Sequence, residues 1–398
     1  MQRSIRFAVG AAYAAQGLGY ATVVTTLPTL KARVGIDNTV VSLLLLGVCV
    51  MAAAGSLLAD AIAVWRDSRV ALVAGLWMQV VGLAIAAFAD SLGILIVAIA
   101  CYGLGLGTVD AANNMQGAIA ERHRDAPLFG KLYASYTTAA IVGTVITAAV
   151  LTTTLLPTSP ILVAAAVALV VGAVGIRAFS SERAARRVED RAADRPRLPA
   201  AGIWIVGALV FAAFAVDSAV SAWSTVYLAD GLDAAPGTTP LGYAAYLVAV
   251  LVARLVSDPA ARRFGRARTA LVAAVLGILG LVAVAVLPSI PAAIAGFALS
   301  GFAAGALVPL AFSRAGELLP ARSDEVMARV NLFNYGGAVA GAVLLGLVGS
   351  GPTLAWAFLI PAAVLALALP ALRALRPSRQ YGSSAAPSAP PSVGSGTT

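Results

Sequence analysis

The sequence predicts an all-α membrane protein, with twelve transmembrane helices in two pseudo-symmetric six-helix bundles. Three observations carry this. Of the 398 residues, 60% are hydrophobic and only 11% are charged, against about 25% charged in a soluble domain. Apolar runs long enough to cross a bilayer as a helix, about 20 residues each, recur from end to end. The chain also repeats at an offset of 198: Asp60 falls on Asp258, Gly82 on Gly280, Gly103 on Gly301, Gly107 on Gly305 and Gly143 on Gly341. Of the 17 glycines in residues 1–175, 4 land on Gly and 8 on Ala, more than composition alone predicts. A β-barrel would instead show short alternating segments.

The spans are read at 5–29, 39–58, 70–89, 92–118, 128–151, 159–179, 200–229, 240–257, 269–287, 291–313, 326–349 and 353–374. Span 1 carries Tyr13, Gln16 and Tyr20 at spacings of three and four, on one helical face. Spans 2 and 3 are joined by a short charged turn ending WRDSR. Span 4 holds a stripe of Gly103, Gly107, Asp110 and Asn114, with Asn113 beside it. The glycines permit close helix approach, whereas a buried carboxyl costs at least ~3 kcal/mol unless it faces a cavity or a partner. Span 5 brings Tyr133, Tyr136, Thr137 and Thr138, and span 6 is apolar as far as Ile176. Residues 180–199, charged and with two prolines, read as a linker. Span 7 carries Asp217, Ser221, Trp223 and Tyr227. Spans 8 and 9 are joined through RLVSDPAARRFGRAR, span 10 repeats the span 4 glycines, and span 11 has Asn331, Asn334 and Tyr335. Beyond span 12 the chain is rich in Pro, Ser and Gly and is expected to be disordered. The resulting organisation is a first bundle over 1–179, the linker, a second bundle over 200–376 and a tail over 377–398.

The net charge of +9 could point to nucleic acid, but its distribution excludes that partner. With the N-terminus inside, 25 of the 27 basic residues fall on the inner side and only Lys31 and Arg33 outside. This places both termini in the cytoplasm. No cleavable signal is evident, because the first apolar run is full length. Cys49 and Cys101 lie within apolar runs and read as small buried hydrophobes, and His123 reads as a loop residue. No metal or cofactor is expected, and no nucleophile–base set points to an enzyme.

The repeat separates scaffold from function. Asp110 falls on Val308, Asn114 on Phe312 and Asp217 on Gly19. These two acids are the only ones well inside spans, so they are the proton-coupling candidates. A carboxyl in a low-dielectric cavity is harder to ionise and can exchange a proton near neutral pH. The alternative is a hydrogen-bonded structural Asp. The polar and aromatic residues named on spans 1, 4, 5, 7 and 11 are the candidates for lining a solute site; each could instead bond helices together. An anionic solute is disfavoured, because no Lys or Arg is read deep in a span. Asp60 and Arg66 in the first turn, and Asp258, Arg262 and Arg266 in the second, are candidates for a cytoplasmic gate.

These residues resemble the major facilitator superfamily. The second turn is similar to its signature loop in Ser257, Asp258, Arg262, Gly265 and Arg266, and the first copy has Asp67 where the second has Gly265. GLGLGTVDAANNMQG in span 4, AWSTVYL in span 7 and residues 295–316 resemble the fucose-permease-like branch of sugar–proton symporters. The resemblance implies alternating access, with a coupling carboxyl at Asp110. It also implies a second carboxyl on span 1, where this chain has Gln16. The expected function is therefore proton-coupled symport of a neutral polar solute, such as a sugar, by a monomer in a bacterial cytoplasmic membrane. Proton-driven efflux of amphipathic drugs or metabolites is the second reading, and a non-transporting membrane sensor is a third.

Overall fold

The computed structural model describes residues 2–122, 128–181, 198–319 and 323–375. His123, most of the linker and the tail lie outside them. Twelve of the helical stretches within that range are long and apolar enough to cross a membrane. The first half contains α1 (Gln2–Val34), α2 (Asn38–Trp65), α3 (Ser68–Phe88), α4 (Leu92–Arg122), α5 (Phe129–Val150) and α6 (Ser159–Ala178). The second contains α7 (Ala200–Val226), α8 (Leu241–Phe264), α9 (Arg266–Val286), α10 (Ile290–Leu318) and α11 (Ser323–Val348). The twelfth span is broken into α12 (Leu354–Ala357) and α13 (Leu359–Ala368), with a 3₁₀ turn over Leu369–Leu375.

Several helices outrun the spans read from hydropathy. α1 continues to Val34, α2 to Trp65 and α8 to Phe264, through Pro259. Charge ends an apolar run, but it does not end i→i−4 hydrogen bonding. What stops α2 and α8 is a short joint, two residues (Arg66 and Asp67) in the first copy and one (Gly265) in the second, and the two copies solve it differently. Asp67 caps α3 by accepting from the Val70 N–H at 2.9 Å, an arrangement that contributes about 1 kcal/mol. Its repeat mate Gly265 sits at φ +88°, a conformation that favours glycine.

Packing within the halves follows the repeat. α4 lies against α2 and α3, as α10 does against α8 and α9; α1 lies against α5, as α7 does against α11. Even the contact atoms repeat. A Cβ on Gly107 would lie 1.8 Å from the Ala52 carbonyl oxygen, and one on Gly305 would lie 2.6 Å from that of Val250. Gly103 faces Val48 and Gly301 faces Tyr246; Gly82 faces Tyr102 and Gly280 faces Ser300. Each partner is displaced by the same 198 residues as its glycine. Without a hydrophobic force between helices in lipid, such backbone contacts supply the attraction.

The halves meet through α2 with α11, α5 with α8 and α1 with α7. At the end where α1 and α7 finish, Lys31 pairs with Asp230, and Asn38 Nδ2 donates to the Gly349 carbonyl at 3.2 Å. Gly237 lies against Thr152 there. Deeper in, Arg254 Nη1 donates to Thr137 Oγ1 at 2.8 Å, and Tyr335 sits against Ser56. These two pairs are mates under the repeat, since Ser56 maps to Arg254 and Thr137 to Tyr335. Beyond them, toward the α2–α3 and α8–α9 joints, Asp60, Asp258 and Arg262 are exposed.

Candidate functional site: a cavity between the halves

On the first half, close approach of α1, α4 and α5 builds a polar network. A Cβ on Gly17 would lie 2.2 Å from the Tyr136 carbonyl oxygen, so α5 runs against α1 here. That places Tyr13 and Tyr133 edge to face, with centroids 5.5 Å apart. Both hydroxyls donate to Asn114 Oδ1, at 2.8 and 3.3 Å. Gln16 uses both ends of its amide: Nε2 donates to Asp110 Oδ1 at 3.2 Å, and Oε1 accepts from Asn113 Nδ2 at 2.9 Å. Asp110 is exposed although it lies deep within a 31-residue helix. An exposed carboxyl at that depth lines a cavity rather than lipid.

On the second half, Asp217 is half-buried on α7 and accepts from the Tyr246 hydroxyl at 2.6 Å. Tyr246 stacks on Tyr243, with centroids 6.1 Å apart. The Tyr20 hydroxyl and Ser221 Oγ are 3.0 Å apart, linking α1 to α7. Tyr136 lies within electrostatic reach of both carboxyls.

The sequence-predicted lining residues divide by exposure. Tyr133 and Tyr335 are exposed; Tyr20, Asn114, Tyr136, Asn331 and Asn334 are half-buried. Tyr13, Gln16, Asn113 and Ser221 are buried, and their hydrogen-bond partners are Asn114, Asp110, Gln16 and Tyr20. Trp223 differs from expectation. It is fully buried, its indole N–H donates to the Ala342 carbonyl at 2.8 Å, and Gly346 leaves room for its ring. It is a packing residue between α7 and α11, not a wall of the cavity. Trp223→Phe should therefore lower stability by about 0.5–1.5 kcal/mol, the worth of one hydrogen bond, while transport persists. Lost transport at an unchanged unfolding midpoint would restore a binding role.

Of the gate candidates, Arg266 pairs with Glu317 at 2.5 Å within its own half, and Arg66 lies over the Trp65 ring, 4.7 Å from its centroid. Two residues were missed by sequence reasoning. Tyr246 gave no polar pattern of its own. Arg254 lies near the end of its apolar run, yet it is residue 14 of the 24 in α8. It reaches across to Thr137 and lies within electrostatic reach of Asp217. A cation near the end of its apolar run thus reaches the other half, which the sequence reading did not anticipate. The signal was the uninterrupted helical pattern through Pro259, which hydropathy alone had cut short.

Comparison with known proteins agrees with this architecture. An uncharacterised MFS-type transporter of Yersinia pestis is 26% identical over 349 residues, covering 86% of this chain and 88% of its own. An uncharacterised transporter of Sinorhizobium fredii is 27% identical over 298 residues, covering 74% and 78%. Among solved structures, a mutant of the nucleoside transporter NupG superposes with a TM-score of 0.73 at 12% identity, covering 93% of this chain and 99% of its own. A bacterial homologue of the lysosomal transporter Spinster, inward-facing and unoccupied, gives 0.69 at 12%, covering 95% and 99%. At such identities these two share the fold alone. The profile of the Major Facilitator Superfamily matches residues 9–230 and again 203–396, and the chain belongs to that superfamily.

Proposed function

We propose that this membrane transporter is a proton-coupled symporter working by alternating access, and that it takes up a neutral polar solute such as a sugar. The observation that carries the reading is the pair of carboxyls, Asp110 and Asp217, one on each half and both within electrostatic reach of Tyr136. The side chains that hydrogen-bond them, Gln16 and Tyr246, are neutral. A carboxyl held by neutral donors can gain a proton without breaking a direct ion pair. Protonation then removes a charge that one state of the protein solvates better than the other, and so biases the equilibrium between them. Two carboxyls and the Arg254 guanidinium sum to zero when one carboxyl carries a proton. That balance favours an uncharged solute travelling with a proton. The span 4 motif supports a place near the fucose-permease-like branch, with Gln16 standing beside Asp110 where that branch leads one to expect an acid. The basic-residue distribution supports a bacterial cytoplasmic membrane with both termini inside.

Export of an amphipathic solute is the second reading, favoured by the accessible rings of Tyr20, Tyr133, Tyr136 and Tyr335. Flux into proteoliposomes under an imposed pH gradient separates the two. A neutral sugar should accumulate against its own gradient in the direction of proton entry, and a thermal-shift screen at two pH values identifies it through ligand-linked stabilisation. Binding without any counterflow would sink transport in favour of a sensor. Movement against proton entry would sink symport.

A further inference from the structure

Away from the central cavity, the second half carries a groove on its outer face, between α7, α11 and α13. Its volume is about 760 Å³, within the range of small-molecule sites, about 300–1,000 Å³. Its walls are apolar side chains that face outward: Trp204 is 68% exposed, Leu332 65% and Leu367 81%. In a transmembrane bundle such a face meets lipid. The groove is kept open by the residues beneath it. Phe333 lies flat over Gly207, where a Cβ would come within 2.5 Å of its ring, and meets Trp204 edge to face at 5.1 Å. Gly336 keeps the floor low beside Phe211.

One lining residue does not fit an apolar surface. Arg329 is exposed at the mouth, where the apolar stretch of α11 begins. The groove lies near the start of α7 and the end of α13, so all three helices place it at one membrane face. By the basic-residue distribution this is the cytoplasmic face. Among the described residues Arg329 has no acidic partner. Glu317, the acid at the end of α10, is already held by Arg266 and by Arg314, at 2.5 and 3.2 Å. An exposed cation at the mouth of an apolar groove and beside an exposed tryptophan is complementary to a lipid phosphate joined to an acyl chain.

We propose that this groove binds one anionic phospholipid of the cytoplasmic leaflet, its phosphate on Arg329 and an acyl chain along Trp204, Leu332 and Leu367. The site is separate from the solute cavity and independent of the symport reading. Arg329 confers headgroup preference, and the groove supplies most of the contact area.

The test is native mass spectrometry of the full chain, stripped of lipid in detergent and titrated with phosphatidylglycerol or phosphatidylcholine. One phosphatidylglycerol should remain bound where phosphatidylcholine does not. Arg329→Gln should weaken phosphatidylglycerol roughly tenfold, the scale of one charge-assisted contact, without changing phosphatidylcholine. Ala208→Phe, which fills the groove, should remove the retained lipid whatever its headgroup. Arg373→Gln, an exposed arginine at the same membrane face but outside the groove, should change nothing. Equal retention of both lipids would overturn the proposal. So would an unaltered preference in Arg329→Gln, or an equal loss in Arg373→Gln. If Ala208→Phe fails to fold, the two surface variants still decide the matter.

Discussion

Asp110→Asn should abolish solute accumulation driven by a pH gradient while leaving solute exchange between the two sides of the membrane. The carboxamide keeps an acceptor oxygen for Gln16 Nε2, now 3.2 Å from Oδ1, so the network joining α1 to α4 survives. What it cannot do is take up and release a proton. One proton moving down a gradient of one pH unit supplies about 1.4 kcal/mol, enough for tenfold accumulation of a co-transported neutral solute. The parent protein should approach that ratio, and the variant should fall to about onefold, the uncoupled limit. Proteoliposome uptake at a set external pH gives both numbers, and counterflow of labelled solute reports exchange. Asp217→Asn, which retains an acceptor for the Tyr246 hydroxyl at 2.6 Å, is the parallel measurement on the other half. Full accumulation in Asp110→Asn would remove the coupling role from that residue, and full accumulation in both would sink proton coupling through these carboxyls.

The largest effect on stability is expected from Gly107→Ala. The added Cβ would lie 1.8 Å from the Ala52 carbonyl oxygen, 2.5 Å from its carbon and 2.7 Å from its Cα. All three atoms are backbone, so no rotamer change relieves the clash and α4 must move away from α2. Overpacking of this kind costs about 1–3 kcal/mol, with a rigid helix backbone at the upper end. The movement also strips contacts from Gly103 one turn away. At the repeat mate, Gly305→Ala meets the Val250 oxygen at 2.6 Å and the Ala253 Cβ at 2.7 Å, so its loss should be smaller. Gly47→Ala finds nothing within 4 Å. It should be neutral or slightly stabilising, because alanine is the better helix former by up to about 1 kcal/mol. Thermal unfolding of the three variants in one detergent should rank them in that order. A Gly107→Ala midpoint equal to the parent's would contradict the α2–α4 approach.

The same two helices show how far each level of description reaches. Apolar run length and the 198-residue offset were enough to read twelve helices in two related halves, because a bilayer demands a fixed length of apolar helix and because duplicated glycines mark duplicated contacts. Those signals are local or periodic, so they survive in one dimension. Residue type and the failure of the repeat also singled out Asp110, Asn114 and Asp217. What the sequence could not decide is which polar groups meet. Tyr246 bonds Asp217 across 29 residues of chain, Gln16 bonds Asp110 across 94 and Arg254 bonds Thr137 across 117. None of these separations leaves a periodic trace. Nor could hydropathy tell that α8 continues ten residues past Arg254, since an average over a window falls at the first charges whether or not the helix ends. Trp223 was misassigned for a related reason: an indole beside serines looks the same in sequence whether it lines a cavity or fills the space above Gly346. The sequence alone determined the membrane, the helices and the symmetry, because each is specified by composition or period. Only the tertiary structure decided which polar side chains meet, which are buried and which stay exposed, and that Arg254 reaches across to α5, because those depend on close approach between residues remote in the chain.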